Sequence, residues 1–173
     1  MKKIPWAFLL ILITTTFFWA GLSASASAEE KDPAALAQAL QTVSVTLETG
    51  LKTSEREGKP ISGKFEIEDG KLQLSVYTLK GDDFVEVVLD PATGAVAKAE
   101  NISDDDDLEQ AKAQNTAMGK AKLSLLAATE AAVKANSGFR AVSVEPEIKD
   151  GHPIAEVTLL QGTNSKKVAE KLD

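Results

Sequence analysis

The 173-residue sequence contains no cysteine and a single histidine, His152. A chain without cysteine cannot build a disulfide framework, so its stability must come from packing. One histidine and no cysteine cannot supply the usual ligands of a zinc site. They also leave few pairs of a nucleophile and a general base for hydrolysis, and no Gly-x-Ser-x-Gly motif is present. These absences favour a protein that binds over an enzyme, and they predict no cofactor.

Positive charge is also scarce, because 19 lysines and arginines stand against 26 aspartates and glutamates. The formal net charge of −7 repels phosphate backbones and anionic lipid. We therefore expect neither a nucleic acid nor a peripheral membrane surface as a partner.

The N-terminal 28 residues have the features of a signal peptide. Lys2 and Lys3 precede an apolar run over residues 4–22, and the small residues of Ser23–Ala28 contain two A-x-A cleavage sites. Cleavage after Ala28 leaves residues 29–173 with a net charge of −9, because both leader lysines are removed. The alternative is an uncleaved signal anchor, since the apolar run is just long enough to span a bilayer. Lipidation is excluded without a cysteine, so we expect a periplasmic or secreted protein with no stable membrane association after cleavage.

Beyond the leader, hydrophobic spacing predicts a helix followed by a β-meander. Apolar residues three or four positions apart, from Leu36 to Leu51, mark one helical face that ends at Gly58-Lys59-Pro60. The spacing then changes to two, which is typical of strands. The strand positions run over 61–67, 72–76, 85–89 and 95–99, with turns at 68–71, 81–83 and 90–94. This pattern is an α+β unit with the helix packed on one face of the sheet.

Residues 101–117 interrupt the pattern with four consecutive aspartates, Asp104, Asp105, Asp106 and Asp107. Little in this segment could be buried, so we expect an acidic, solvated linker. The four aspartates are the candidates for a metal site, because calcium prefers carboxylate oxygens. They do not alternate with other residues and lack the glycine of a calcium loop, so the linker is favoured over weak cation binding.

Residues 118–173 repeat the pattern of residues 29–100. A second helical spacing runs from Met118 to Ala132, and strand spacing returns from Val142 to Leu159. With an offset of 81, residues 66–81 align with 147–162 without a gap and are identical at seven of sixteen positions. The second copy reaches Leu172-Asp173 without the last turn and strand of the first, which would leave a sheet edge uncovered. The expected fold is α+β, with two repeats of one helix on an antiparallel meander of three to four strands.

Both copies resemble the PepSY domain. The resemblance rests on the helix, the Gly58-Lys59-Pro60 entry into the first strand, the Glu-Ile-x-Asp-Gly hairpin at 66–70, and the closing sequence Leu-Asp-Pro-Ala-Thr-Gly at 89–94. The second copy lacks this closing turn. PepSY-like domains occur in propeptides of thermolysin-like metallopeptidases and in bacterial envelope proteins, so the resemblance implies protein binding or modulation of a peptidase. It brings no catalytic residues.

Asp90, Thr93 and Gly94 are the positions most typical of that family. We expect them to be structural, because the aspartate can accept backbone N–H groups in the turn and glycine supplies a positive φ. His152 follows the Asp150-Gly151 turn, where a solvated side chain is favoured over a catalytic base.

The leading functional hypothesis is an exported, non-enzymatic protein that binds a protein or peptide partner in the cell envelope and modulates or inhibits a peptidase there. Strand addition at the uncovered edge of the second copy would suit peptide binding. The alternative is an envelope protein that binds a small ligand or a divalent cation through its acidic surface.

Overall fold

The computed structural model describes residues 33–173, so the predicted signal peptide, residues 1–28, lies outside the described part of the chain. The helices are α1, Pro33–Ala39; α2, Leu47–Ser54; α3, Asp105–Lys120; and α4, Leu125–Ala135, with a single 3-10 turn at Leu40–Thr42. The strands are β1, Lys59–Glu68; β2, Lys71–Lys80; β3, Asp83–Leu89; β4, Val96–Asn101; β5, Arg140–Lys149; β6, His152–Gln161; and β7, Asn164–Lys171. No helix in this part of the chain is long and apolar enough to cross a membrane.

The seven strands form one antiparallel sheet in the order β4-β3-β2-β1-β5-β6-β7. The predicted α+β fold of helices on antiparallel meanders is confirmed. The two meanders are joined side by side into one sheet, because β1 of the first pairs with β5 of the second.

This β1–β5 seam relates the two halves by the same offset of 81 residues that the sequence shows. Gly63 of β1 lies opposite Val144 of β5, which is its own counterpart. Both strands also carry an irregularity at the equivalent place, between Pro60 and Ser62 in β1 and between Ala141 and Ser143 in β5. The halves therefore meet about an approximate two-fold axis.

The hairpins between the first two strands of each half use the same turn chemistry. Asp69 and Asp150 have φ values of 49° and 52°, and each is followed by a glycine with positive φ. Two consecutive positive φ values are those of a type I′ turn, which matches the twist of the flanking strands. The Asp-Gly pairs therefore set the strand register in both halves.

The predicted helix from Leu36 to Leu51 is broken in two, so that part of the prediction is wrong. Residues 43–46 are not helical, and α2 begins after Thr46, whose Oγ1 accepts the backbone N–H of Thr49 at 3.2 Å. Two valines and a threonine lie in this segment, and β-branched side chains lose rotamer freedom in a helix. Threonine also satisfies a free N–H at a helix start, so a cap replaces the helical turn.

Arg140, at the start of β5, holds this non-helical segment against the second half. Its guanidinium donates to the backbone carbonyls of Leu40 at 3.1 Å, Val43 at 3.2 Å and Val45 at 2.8 Å. The same group lies 5.4 Å from the centre of the Phe65 ring. A side chain of one half thus fixes the backbone of the other.

The predicted helix from Met118 to Ala132 is also interrupted, because α3 ends at Lys120 and α4 begins at Leu125. Ser124 caps α4 by accepting the backbone N–H of Ala127 at 3.1 Å. The caps of α2 and α4 occupy matching places, and so do the buried residues of the two helices. These are Leu47, Gly50, Leu51 and Ser54 in α2, and Leu125, Ala128, Thr129 and Ala132 in α4.

The sequence predicts an acidic linker over residues 101–117, but most of this segment is helix α3. The carboxylate of Asp104 caps this helix by accepting the backbone N–H groups of Asp106 at 3.0 Å and Asp107 at 3.3 Å. Negative charge in a first turn is favourable with the helix dipole. The later turns bury Ala111, Gln114, Ala117 and Met118. A run of aspartates is therefore a helix start here and not a break in structure.

Helix α3 lies on the opposite face of the sheet from α2. A Cβ atom placed on Gly63 would contact Leu47 and Leu51 of α2, at 3.3 Å each. The preceding residue, Ser62, donates instead to Gln114 of α3 at 2.8 Å. Because neighbouring residues of a strand point to opposite faces, the sheet is covered on both sides at its centre. The core lies under α2 and α4, and its largest fully buried side chains include Leu47, Leu51, Ile61, Leu74, Leu89, Leu125 and Leu159.

Candidate functional site

Strand β7 is one of the two edges of the sheet. It pairs with β6 in a register that runs from Lys171, opposite Ile154, to Asn164, opposite Gln161. Its counterpart in the first half, β3, has β2 on one side and β4 on the other. Within residues 33–173, no strand occupies the corresponding place beside β7.

Hydrogen bonds at the ends of the edge strands show which backbone groups of β7 face outward. The N–H of Leu172 donates to the carbonyl of Pro153 at 3.0 Å. Because hydrogen-bonded positions alternate along an antiparallel strand, the N–H and C=O groups of the even-numbered residues of β7 point toward β6. The N–H and C=O groups of the odd-numbered residues point away from β6. These residues are Ser165, Lys167, Ala169 and Lys171. On β3, the counterpart of Ser165 is Phe84, whose carbonyl accepts the N–H of Ile102 at 2.9 Å. In the first half, β4 therefore binds the backbone groups of β3 that correspond to the outward groups of β7.

The side chains of β7 are mainly basic, with three lysines and one glutamate between Asn164 and Lys171. Lys166 donates to Oδ1 of Asn136 at 2.6 Å and lies 4.1 Å from the centre of the Phe139 ring. Lys167 forms an ion pair with Glu156 of β6 at 2.8 Å. Lysine on an edge strand opposes pairing with identical edges. β7 is thus a basic strip on an acidic protein.

The end of β7 is held in place. Leu172 is fully buried, and its carbonyl accepts the N–H groups of Lys122 at 2.6 Å and Leu123 at 3.1 Å. These residues lie in the connection between α3 and α4. The edge is therefore fixed at this end before any partner binds.

A groove of about 420 Å³ lies between α3 and strands β5 and β6, and no residue of β7 lines it. Glu145 and Glu156 lie opposite each other on its floor, and Glu147 also lines it. Ile148, at its rim, is one of the exposed large apolar side chains of the described residues. The groove combines carboxylates with apolar surface, which suits a cationic group better than an anion.

Carboxylates also affect one another on this face of the sheet in the first half. Burial raises the pKa of Glu86, and the charges of Glu66 and Glu68 add to the effect of burial although Ser75 opposes it. Burial acts to raise the pKa of Glu66 as well, but Lys64, at 3.0 Å, and its other hydrogen-bond partners lower it overall. Burial and then the Glu86 charge raise the pKa of the Tyr77 hydroxyl.

The four aspartates that the sequence singles out for metal binding start helix α3. Asp104 uses its carboxylate on the helix cap, while Asp105, Asp106 and Asp107 occupy the first turn. Among the described residues, no group of three or more histidine, aspartate or glutamate side chains is arranged to hold a metal ion.

Asp90, Thr93 and Gly94 form the turn between β3 and β4. Oδ1 of Asp90 accepts the backbone N–H groups of Ala92 at 3.0 Å and Thr93 at 2.7 Å, and the Thr93 hydroxyl at 3.0 Å. The bonds from Thr93 lower the pKa of Asp90. Gly94 has a φ of 71° and is buried near Val45 and Thr49. These contacts stabilise the turn and leave no role that a ligand must explain.

His152 is exposed at the β5–β6 hairpin, and its Nδ1 lies 2.7 Å from Oδ2 of Asp173. This hydrogen bond lowers the pKa of Asp173. The groove lies elsewhere, and its lining does not include this pair. Sequence reasoning missed the partner of His152, the role of Arg140 and the groove itself. The sequence does not predict the groove because the charge of residues 101–117 indicates a linker and not helix α3. The spacing of Leu108, Ala111 and Met118 is nevertheless compatible with a helix.

No protein-family model matches this chain, and no curated protein matches it. Among solved structures, the crystal structure of a "putative lipoprotein" from Clostridium difficile 630 is similar, with 12% identity and a TM-score of 0.38. The similarity covers 70% of this chain and 80% of that chain. A TM-score this low is too weak to support a functional argument.

Proposed function

We propose that this protein is an exported, non-enzymatic binding protein that holds an extended peptide or protein segment at the β7 edge. The observation that carries the proposal is that β7 has one strand neighbour among the described residues, whereas its counterpart β3 has two. Strand addition satisfies the outward backbone groups of an edge and needs no catalytic side chain.

The internal repeat supports the use of this edge because it shows a strand bound at the equivalent place. In the first half, β4 pairs with β3 from Val85, opposite Asn101, to Leu89, opposite Val96. The same surface on β7 carries matching outward backbone groups. Its buried C-terminal anchor at Leu172 keeps the edge in place, which reduces the entropy lost on binding.

The partner lies in the cell envelope under this proposal. The basic, apolar and small-residue regions of residues 1–28 support export. The resemblance to PepSY domains supports an envelope peptidase as the target, with the protein acting as a modulator or inhibitor. Periplasmic and secreted locations are both compatible with the leader.

Selection of displayed random octapeptides on immobilised residues 29–173 tests the binding proposal. We expect selected peptides to lose binding to Ala169→Pro, which removes an outward N–H from β7. The matched control is Ala99→Pro on β4, an exposed alanine at the other edge of the sheet, which should leave binding unchanged. Selection that yields no binders, or binders indifferent to Ala169→Pro, would refute binding at this edge.

The peptidase part of the proposal has a separate test. We expect residues 29–173 to slow the cleavage of a chromogenic peptide by thermolysin, and Ala169→Pro to relieve the inhibition. If peptides bind β7 while thermolysin and envelope metallopeptidases keep full activity, the modulating role is wrong and the binding role stands.

Binding of a small cation is the second candidate, favoured by the carboxylate-lined groove under α3. Calorimetric titration with calcium tests it. Micromolar binding that is lost when Glu145 and Glu156 are both replaced by glutamine would favour this function. Loss only on replacement of Asp105, Asp106 and Asp107 would instead place the cation at the start of α3.

A further inference from the structure

We propose that the segment bound at β7 is acidic and extended, and that it pairs antiparallel to β7 in the register that β4 adopts on β3. This inference rests on the proposed function and adds the chemistry of the partner and the residues that it meets. A partner protein supplies the segment.

The register follows from the internal repeat. On β3, Glu86 lies opposite Glu100 of β4, and Val88 lies opposite Lys98. The offset of 81 residues carries these two β3 positions to Lys167 and Ala169 of β7. A strand bound as β4 is bound therefore places its fifth residue, counted from the Val96 position, directly opposite Lys167.

Charge decides which segment fits that register. Directly opposite residues of antiparallel strands interact, and opposite charges there are favourable while like charges are unfavourable. An acidic side chain at the Glu100 position faces Lys167. A second one at the Lys98 position lies opposite Ala169, diagonally between Lys167 and Lys171. The other edge, β4, carries one lysine and one glutamate and has no such preference.

The Lys167–Glu156 pair is well exposed, with side chains 57% and 39% accessible, so its rearrangement costs little. The net charge of −9 on residues 29–173 opposes an acidic partner at long range. At 0.1 M salt this repulsion is screened beyond about 10 Å, and the nearby lysines dominate. The same lysines disfavour β7 of a second copy as the occupant.

The test uses three synthetic peptides with blocked termini. The first has the sequence of residues 95–102, the second carries Lys98→Glu, and the third carries Glu100→Lys. Binding to residues 29–173 at 0.1 M salt is followed by amide chemical shifts in two-dimensional NMR. We expect the shifts to concentrate at Ser165, Lys167, Ala169 and Lys171.

We expect the Lys98→Glu peptide to bind about tenfold more tightly than the Glu100→Lys peptide, equivalent to about 1.4 kcal/mol. Several exposed ion pairs together account for a difference of this size. The difference should shrink at 0.5 M salt. Ala169→Pro should abolish binding with the far-UV spectrum unchanged, and Ala99→Pro should not affect it.

A charge-reversal variant keeps the test independent of the proline substitution. In the double variant Lys167→Glu with Lys171→Glu, the order of the peptides should invert. Equal affinities, or an order that survives charge reversal, would overturn the acidic preference and leave the proposed function standing. No peptide shifts at β7 would count against both. Concentration-dependent shifts of the same amides without peptide would show that a second copy is the occupant, and would overturn the inference.

Discussion

Replacing Arg140 with methionine should be among the most destabilising single changes on the surface of this protein. Methionine fills a similar volume but donates no hydrogen bond, so the carbonyls of Leu40, Val43 and Val45 lose their shared donor. A hydrogen bond to a charged group contributes about 1.5–3 kcal/mol. Because the site is half-buried, water replaces part of this, and we expect a loss of about 3 kcal/mol.

Urea denaturation followed by circular dichroism measures this loss, which corresponds to a Tm lower by about 10 °C for a chain of this size. Arg140→Lys keeps the charge but not the planar fork, so it should lose about half as much. Arg56→Met is the matched control. Arg56 is exposed and its ion pair with Glu57 is long, at 3.9 Å, so its loss should stay within about 0.5 kcal/mol.

Hydrogen exchange locates the effect. We expect the amides of residues 40–46 to lose protection in Arg140→Met before the strands do, because the guanidinium holds the backbone between α1 and α2. If Arg140→Met unfolds at the same urea concentration as Arg56→Met, or if these amides stay protected, the guanidinium does not couple the two halves.

Three further predictions concern α3 and the polar sheet face. Gln114→Leu should cost about 1–2 kcal/mol, because the buried hydroxyl of Ser62 loses its acceptor; an unchanged urea midpoint would contradict this. Asp104→Ala should cost about 1 kcal/mol through loss of the helix cap, while Asp104→Asn retains the cap, so equal losses would exclude capping as the cause. Burial raises the pKa of Glu86, so its ionisation destabilises the fold as pH rises above about 4.5. Glu86→Gln should therefore raise Tm at pH 7 but not at pH 4, and a gain of equal size at both pH values would rule out ionisation as the cause.

The meanders were predictable because their signals are local. Alternating side chains and Asp-Gly turns specify a hairpin within some twenty residues, and the offset of 81 repeats both signals in the second half. The split helices were not predicted, because the apolar spacing from Leu36 to Leu51 continues through the non-helical residues 43–46. Tertiary contacts from Arg140 stabilise that break, and a sequence window does not contain them.

The acidic helix shows a different limit. The charge of four consecutive aspartates predicts a solvated segment, although the same residues at a helix start stabilise the free N–H groups of the first turn. The groove and the cover of the second sheet face both depend on this helix, so neither could be expected once the segment was assigned as a linker. The pairing of β1 with β5 was also out of reach, because nothing local marks which strand of one meander faces the other.

The near-symmetric seam has a consequence for refolding. Since β1 meets β5 about an approximate two-fold axis, a half from one molecule offers the same surface to the complementary half of another molecule. Helix α3 is the connection that keeps the two halves of one chain together. At high concentration, chains in which α3 has not yet packed on the sheet can exchange halves. The product is a domain-swapped dimer in which every native contact is formed between chains or within them. Dilution should then restore monomers only as fast as the seam opens.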